Sequence, residues 1–115
     1  MKRKKPRARA EEDEIYCPVR ATIDLLEKKW TLHLVRALST GTKRFNELSA
    51  EVGGINPRTL RERLRRLEDA GIVARRVLGT MPPWVEYSLT RKGRDLHKVL
   101  DSLVAWGRRW MKERG

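Results

Sequence analysis

Apolar residues recur at three- and four-residue spacing from Val19 to Val52, turn β-branched and alternating after Gly71, and return to helical spacing after Thr90. The spacing predicts helices, then strands, then a closing helix. Val19, Ile23 and Leu26 mark a short amphipathic helix after Cys17-Pro18. Trp30, Leu34, Val35 and Leu38 mark a second, over about Trp30 to Leu38. Ser39-Thr40-Gly41 breaks the pattern. Phe45, Leu48 and Val52 define a third helix from Arg44 to Val52, and Gly53-Gly54 gives a tight turn into a fourth. Two short helices joined through glycine make a helix-turn-helix candidate.

The fourth helix has the best-marked ends. Asn56 can cap the free amides of its first turn, Pro57 suits the first helical position, and Gly71 suits a left-handed stop, which predicts a helix from about Pro57 to Ala70. Leu60, Leu64 and Leu67 form one apolar stripe. At about 100° per residue, Arg58, Arg61, Glu62 and Arg65 fall on or near the opposite side, with Thr59 and Arg66 on one flank. Past Gly71, IVARRVL suits a strand and WVEYSL alternates as a second, joined by Gly79-Thr80-Met81-Pro82-Pro83. A hairpin directly after a helix-turn-helix is the layout of a winged helix. Thr90 can cap a last helix, Arg91 to about Met111, with Leu96, Val99, Leu100, Leu103, Trp106 and Trp110 keeping one face apolar. The expected fold is α+β: a winged helix-turn-helix with additional N- and C-terminal dimerisation helices over residues 16–112, after a basic and then acidic flexible tail over 1–15.

Charge sharpens this picture. The 115 residues hold 27 Lys and Arg against 15 Asp and Glu, a net +12. The segment Met1 to Glu14 carries only +2 of that, so +10 belongs to the body, where it can be shaped into a surface for a polyanion. On the fourth helix, arginine brings a planar fork suited to phosphate oxygens and guanine edges, which mixed Lys and Glu would not. Arg58, Thr59, Arg61, Glu62 and Arg65 lie early enough to reach bases, because recognition helices enter the groove by their N-terminal half. Glu62 among arginines favours base reading, since a carboxylate accepts from cytosine but is repelled by phosphate. Arg66, Lys43 and Arg44 are read as phosphate contacts. Arg75 and Arg76 are neighbours on one strand and point to opposite faces, so only one of them can face the DNA directly.

Other chemistries find no support. His33 and His97 are isolated, with no clustered carboxylates at ligand spacing, so no metal is expected. No phosphate loop, nucleophile elbow or triad spacing is present, so neither an enzyme nor a cofactor is expected. No apolar run approaches membrane length, and a single cysteine, Cys17, excludes an internal disulfide framework; a soluble, cytoplasmic protein is expected. Trp106 and Trp110 extend past the last strand, where a monomer has little left to cover. With Val19, Ile23 and Leu103 they form the candidate surface for a second copy of the chain.

CPVRATIDLLEKKW, KRFNELSAEVGGINPRTLRERLRRLEDAGIV, PPWVEYSLTRKGRDL and the late WGRRW occur in that order. In these the sequence resembles the HxlR-type winged helix-turn-helix transcription regulators, a branch near the MarR-like regulators. The resemblance runs from about Tyr16 to Met111. It implies a homodimeric regulator, more often a repressor, that sets the Arg58 to Ala70 helix in the major groove of a double-stranded, partly palindromic operator. It also implies that the hairpin is a wing and that the first and last helices make the dimer. Some members sense oxidants or electrophiles through a cysteine near the position of Cys17, which makes Cys17 a candidate redox sensor and a small oxidant or electrophile a candidate effector. The acidic-basic tail and the arginine richness of the fourth helix depart from the family pattern. The basic body also fits two other classes: a nucleoid-type protein coating nucleic acid without sequence choice, and a winged-helix module whose basic face meets an acidic protein.

Overall fold

Pro18 fits the first turn of a helix, where its missing N–H goes unneeded, and α1 (Pro18–Leu26) starts there with Cys17 as its cap. This computed structural model describes residues 17–111, and the expected tail over 1–15 lies outside the described residues. Helix α2 (Thr31–Leu38) follows. Trp30, expected as its first residue, is instead its cap, held in the left-handed region at φ 80°. Its ring packs against the core beside Gly54 and meets His33 edge-on at 5.4 Å, and these contacts over-determine a conformation that a bulky residue seldom adopts.

A two-residue strand, β1 (Lys43–Arg44), leads into α3 (Phe45–Val52). The sequence pattern put Arg44 inside α3, whereas Arg44 is its extended cap, with its amide donating to Glu47 Oε1 at 2.7 Å. Helix α4 (Pro57–Asp69) has the expected ends. Asn56 Oδ1 accepts from the amides of Arg58 at 2.8 Å and Thr59 at 3.3 Å, Ala70 is the last cap, and Gly71 turns left-handed at φ 76°. Strands β2 (Val73–Leu78) and β3 (Trp84–Leu89) pair antiparallel, and β1 adds to the far edge of β3, giving the order β1-β3-β2.

The core joins Leu34, Val35 and Leu38 of α2, Leu48 of α3, the Leu60, Leu64 and Leu67 stripe of α4, and Ile72, Tyr87 and Leu89 from the sheet region. Helix α5 (Arg91–Trp110) closes it. Thr90 starts α5 by accepting from the Gly93 amide at 3.1 Å, while its hydroxyl reaches back to the carbonyls of Gly71 at 2.6 Å and Ile72 at 3.1 Å. Gly93 lies so close to that turn that any Cβ would collide with the Ile72 carbonyl oxygen. The single apolar face expected for α5 is in fact two. Leu96, Leu100 and Val104 pack on the core, whereas Val99, Leu103, Trp106 and Trp110 are exposed.

Candidate nucleic-acid interface

Burying its leucine stripe fixes which side of α4 can meet a partner. Arg58, Arg61, Glu62 and Arg65 are exposed and Thr59 half-buried, so the expected base-reading residues share the free face. Among the described residues, Arg58, Arg61 and Arg65 have no carboxylate within ion-pair distance. The Arg61 guanidinium stacks over Phe45, 5.5 Å from the ring centroid, so α3 helps to aim it.

Arg66 does not extend to that face. Its Nη2 donates to the Asp24 carbonyl of α1 at 2.6 Å, and neighbouring Arg63 donates from Nε to the Lys29 carbonyl at 2.8 Å. Arg66, expected on a phosphate, is thus engaged within the protein, as is Arg63, for which the sequence carries no signal. Nothing local could have revealed these acceptors, which lie 42 and 34 residues away.

In the sheet, register sorts the remaining cations. Arg44, Glu86 and Arg76 are directly opposite one another across β1, β3 and β2, so they share one face. Trp84 lies two residues from Glu86 on the same strand and side, its Nε1 donating to Glu86 Oε2 at 3.4 Å and its ring lying 5.3 Å beneath the Arg44 guanidinium. Arg75 aligns with Tyr87, which is buried, and so belongs to the core-side row together with Lys43. Of the Arg75 and Arg76 pair, Arg76 is therefore the one beside Arg44. Lys43 is occupied locally, donating to Thr40 Oγ1 at 3.0 Å and pairing with Glu51 at 3.4 Å.

Val19 and Ile23 of α1 are exposed, as are Leu103, Trp106 at 57% and Trp110 at 61% on α5. Val99 joins them, a residue the sequence reading had assigned only to the general apolar face. Spacings of four, three and four from Val99 to Trp110 make a heptad-like seam. Cys17 is half-buried. The backbone amide of Arg20, then that of Val19, and the Arg20 charge hold its thiol below the usual cysteine value. Among the described residues no helix is long and apolar enough to cross a membrane, and no three His, Cys, Asp or Glu side chains group as metal ligands.

The HxlR-like helix-turn-helix family profile matches residues 25–115. An HTH-type transcriptional regulator of Synechocystis, sll1512, is 39% identical over 97 residues, covering 84% of this chain and 72% of that one. Among solved structures, the redox regulator HypR in its reduced form is similar at TM-score 0.77 and 41% identity, over 81% of this chain and 92% of that one. The quinone-bound form of YodB from B. subtilis is similar at TM-score 0.71 and 35% identity, over 83% of this chain and 100% of that one.

Proposed function

We propose a mode of action from the premise that this chain belongs to the HxlR-like helix-turn-helix family and is a DNA-binding transcriptional regulator, not an enzyme. A homodimer seats the N-terminal half of α4 in successive major grooves of a partly palindromic operator and represses transcription in the cytoplasm. The observation that carries this reading is the α4 face itself, where Arg58, Arg61 and Arg65 stand exposed around Glu62. Arg58, Thr59, Arg61, Glu62 and Arg65 read base edges. Arg44 and Arg76, sharing one face of the sheet beside the wing, contact phosphates, whereas Lys43 and Arg75, on the opposite face, do not. Val19, Ile23, Val99, Leu103, Trp106 and Trp110 supply the surface for the second subunit.

The test is selection of binding duplexes from a random pool, followed by titration of a selected and a random duplex at the same salt. Specific regulators separate the two by about a thousandfold or more. Equal affinity would support the nucleoid-type reading, and no binding to either would support a protein-interaction module.

Cys17 is the proposed sensor, for an oxidant or a quinone-like electrophile. Two similar proteins are a redox regulator and a quinone-bound regulator, and the lowered thiol pKa enlarges the nucleophilic thiolate fraction here. Operator titrations of wild type and Cys17→Ser, each before and after mild oxidant, test this. Four identical curves would leave Cys17 a packing residue.

A further inference from the structure

Helix α1 buries no side chain completely. Leu25 packs against the core, and the two arginines of α4 complete the attachment. Arg66 meets the Asp24 carbonyl in the last turn of α1, one of the oxygens that no helical amide can reach. Arg63 meets the Lys29 carbonyl just beyond. The Arg66 guanidinium therefore sits at the negative end of the α1 dipole, and Arg63 holds the turn that leads from α1 into α2. Their geometry also differs from that of the other arginines on α4. Arg63 and Arg66 are half-buried and Arg66 Nε is completely enclosed, whereas Arg58, Arg61 and Arg65 are exposed.

We propose that Arg63 and Arg66 are positioning residues, which hold the recognition helix in register with α1 and do not themselves touch DNA. Spaced three apart, they line one flank of α4 and grip the last turn of α1 and the turn just after it, so a rotation of α4 strains both bonds. Free energy applied to α1, by a second subunit on Val19 and Ile23 or by modification of Cys17, then reaches the base-reading face through these bonds. The linkage is reciprocal: DNA held by α4 restrains α1. This inference rests on the reading that α4 enters the major groove.

Hydrogen exchange of the full chain tests it, with a duplex selected by wild type and a random duplex, on wild type and on R63A/R66A. In wild type, the selected duplex is expected to slow exchange in both α4 and α1. In the double variant at saturating duplex, α4 stays protected and α1 does not. Affinity for the selected duplex should fall about tenfold, a usual size for coupling between sites. The salt dependence should keep its slope, because each lost phosphate contact would lower it by about 1. The single variants R63A and R66A carry the same comparison if the double variant does not fold. Protection of α1 that survives in the variants, or a slope reduced in step with the arginines removed, overturns the proposal. Absence of α4 protection in wild type would instead overturn the groove reading beneath it.

Discussion

Arg61 lies over the ring of Phe45, joining the exposed face of α4 to the first turn of α3 at 5.5 Å. A side chain of one helix thus restricts the rotamers of a side chain on the other, and so preorganises it for a planar partner.

Arg58→Ala and Arg61→Ala are expected to cost about 1–3 kcal/mol on a selected operator and much less on random duplex, as for a lost bidentate base contact. Arg44→Ala and Arg76→Ala should weaken both duplexes alike and lower the salt slope by about 1 each. Titrations across a salt series check both, and equal losses on the two duplexes for Arg58 and Arg61 would reassign them to phosphates.

Wild type is expected to sediment as a dimer, with recognition helices about 34 Å apart, one duplex turn. Leu103→Glu with Trp106→Glu places two carboxylates in the exposed seam of α5 and should yield monomers that keep their helical circular dichroism, since neither residue is buried in the core. A wild type that is already monomeric at micromolar concentration refutes the interface.

Because its thiol pKa is lowered, Cys17 should be thiolate at a lower pH than an ordinary cysteine. Its alkylation rate should rise through a midpoint below the usual value of about 8.5 and level off above it. Arg20→Ala should move that midpoint up only slightly, because the Arg20 charge is the smallest contributor and the backbone amide of residue 20 remains. A wild-type midpoint at or above the ordinary value contradicts the lowered pKa.

Replacing Gly93 by alanine separates two effects of opposite sign. Helix propensity alone favours alanine by about 1 kcal/mol. The added methyl meets the Ile72 carbonyl, however, so a net destabilisation of about 1–3 kcal/mol is expected on chemical denaturation. Leu64→Ala, at a fully enclosed position, should cost about 2–5 kcal/mol and serves as the reference for a core defect.

The ends of α4, its buried stripe and the hairpin were all legible in the sequence, because caps, periodicity and turn residues act over a few positions. What the sequence hid was set at long range. Strand β1 is two residues long and exists only because β3 is there to pair with it. The partners of Arg63 and Arg66 are carbonyls, which every residue has, so no residue type announces them. The position of Gly93 has a reason only once Ile72 is seen beside it. The apolar positions of α5 looked like one face because periodicity marks which residues are apolar, not which of them the molecule's own core will cover.

Those two stripes of α5 lie on one uninterrupted helix, so the angle between them is set by counting residues. A single residue inserted between Leu100 and Leu103 would turn Leu103, Trp106 and Trp110 by about 100° relative to Leu96 and Leu100, carrying them off any surface they were matched to and taking Val104 off the core with them. Substitutions in the outer stripe leave that angle untouched. Exchanging outer side chains can therefore change what α5 meets while its attachment to the core stays as it is, whereas an insertion or deletion in this segment disturbs both at once.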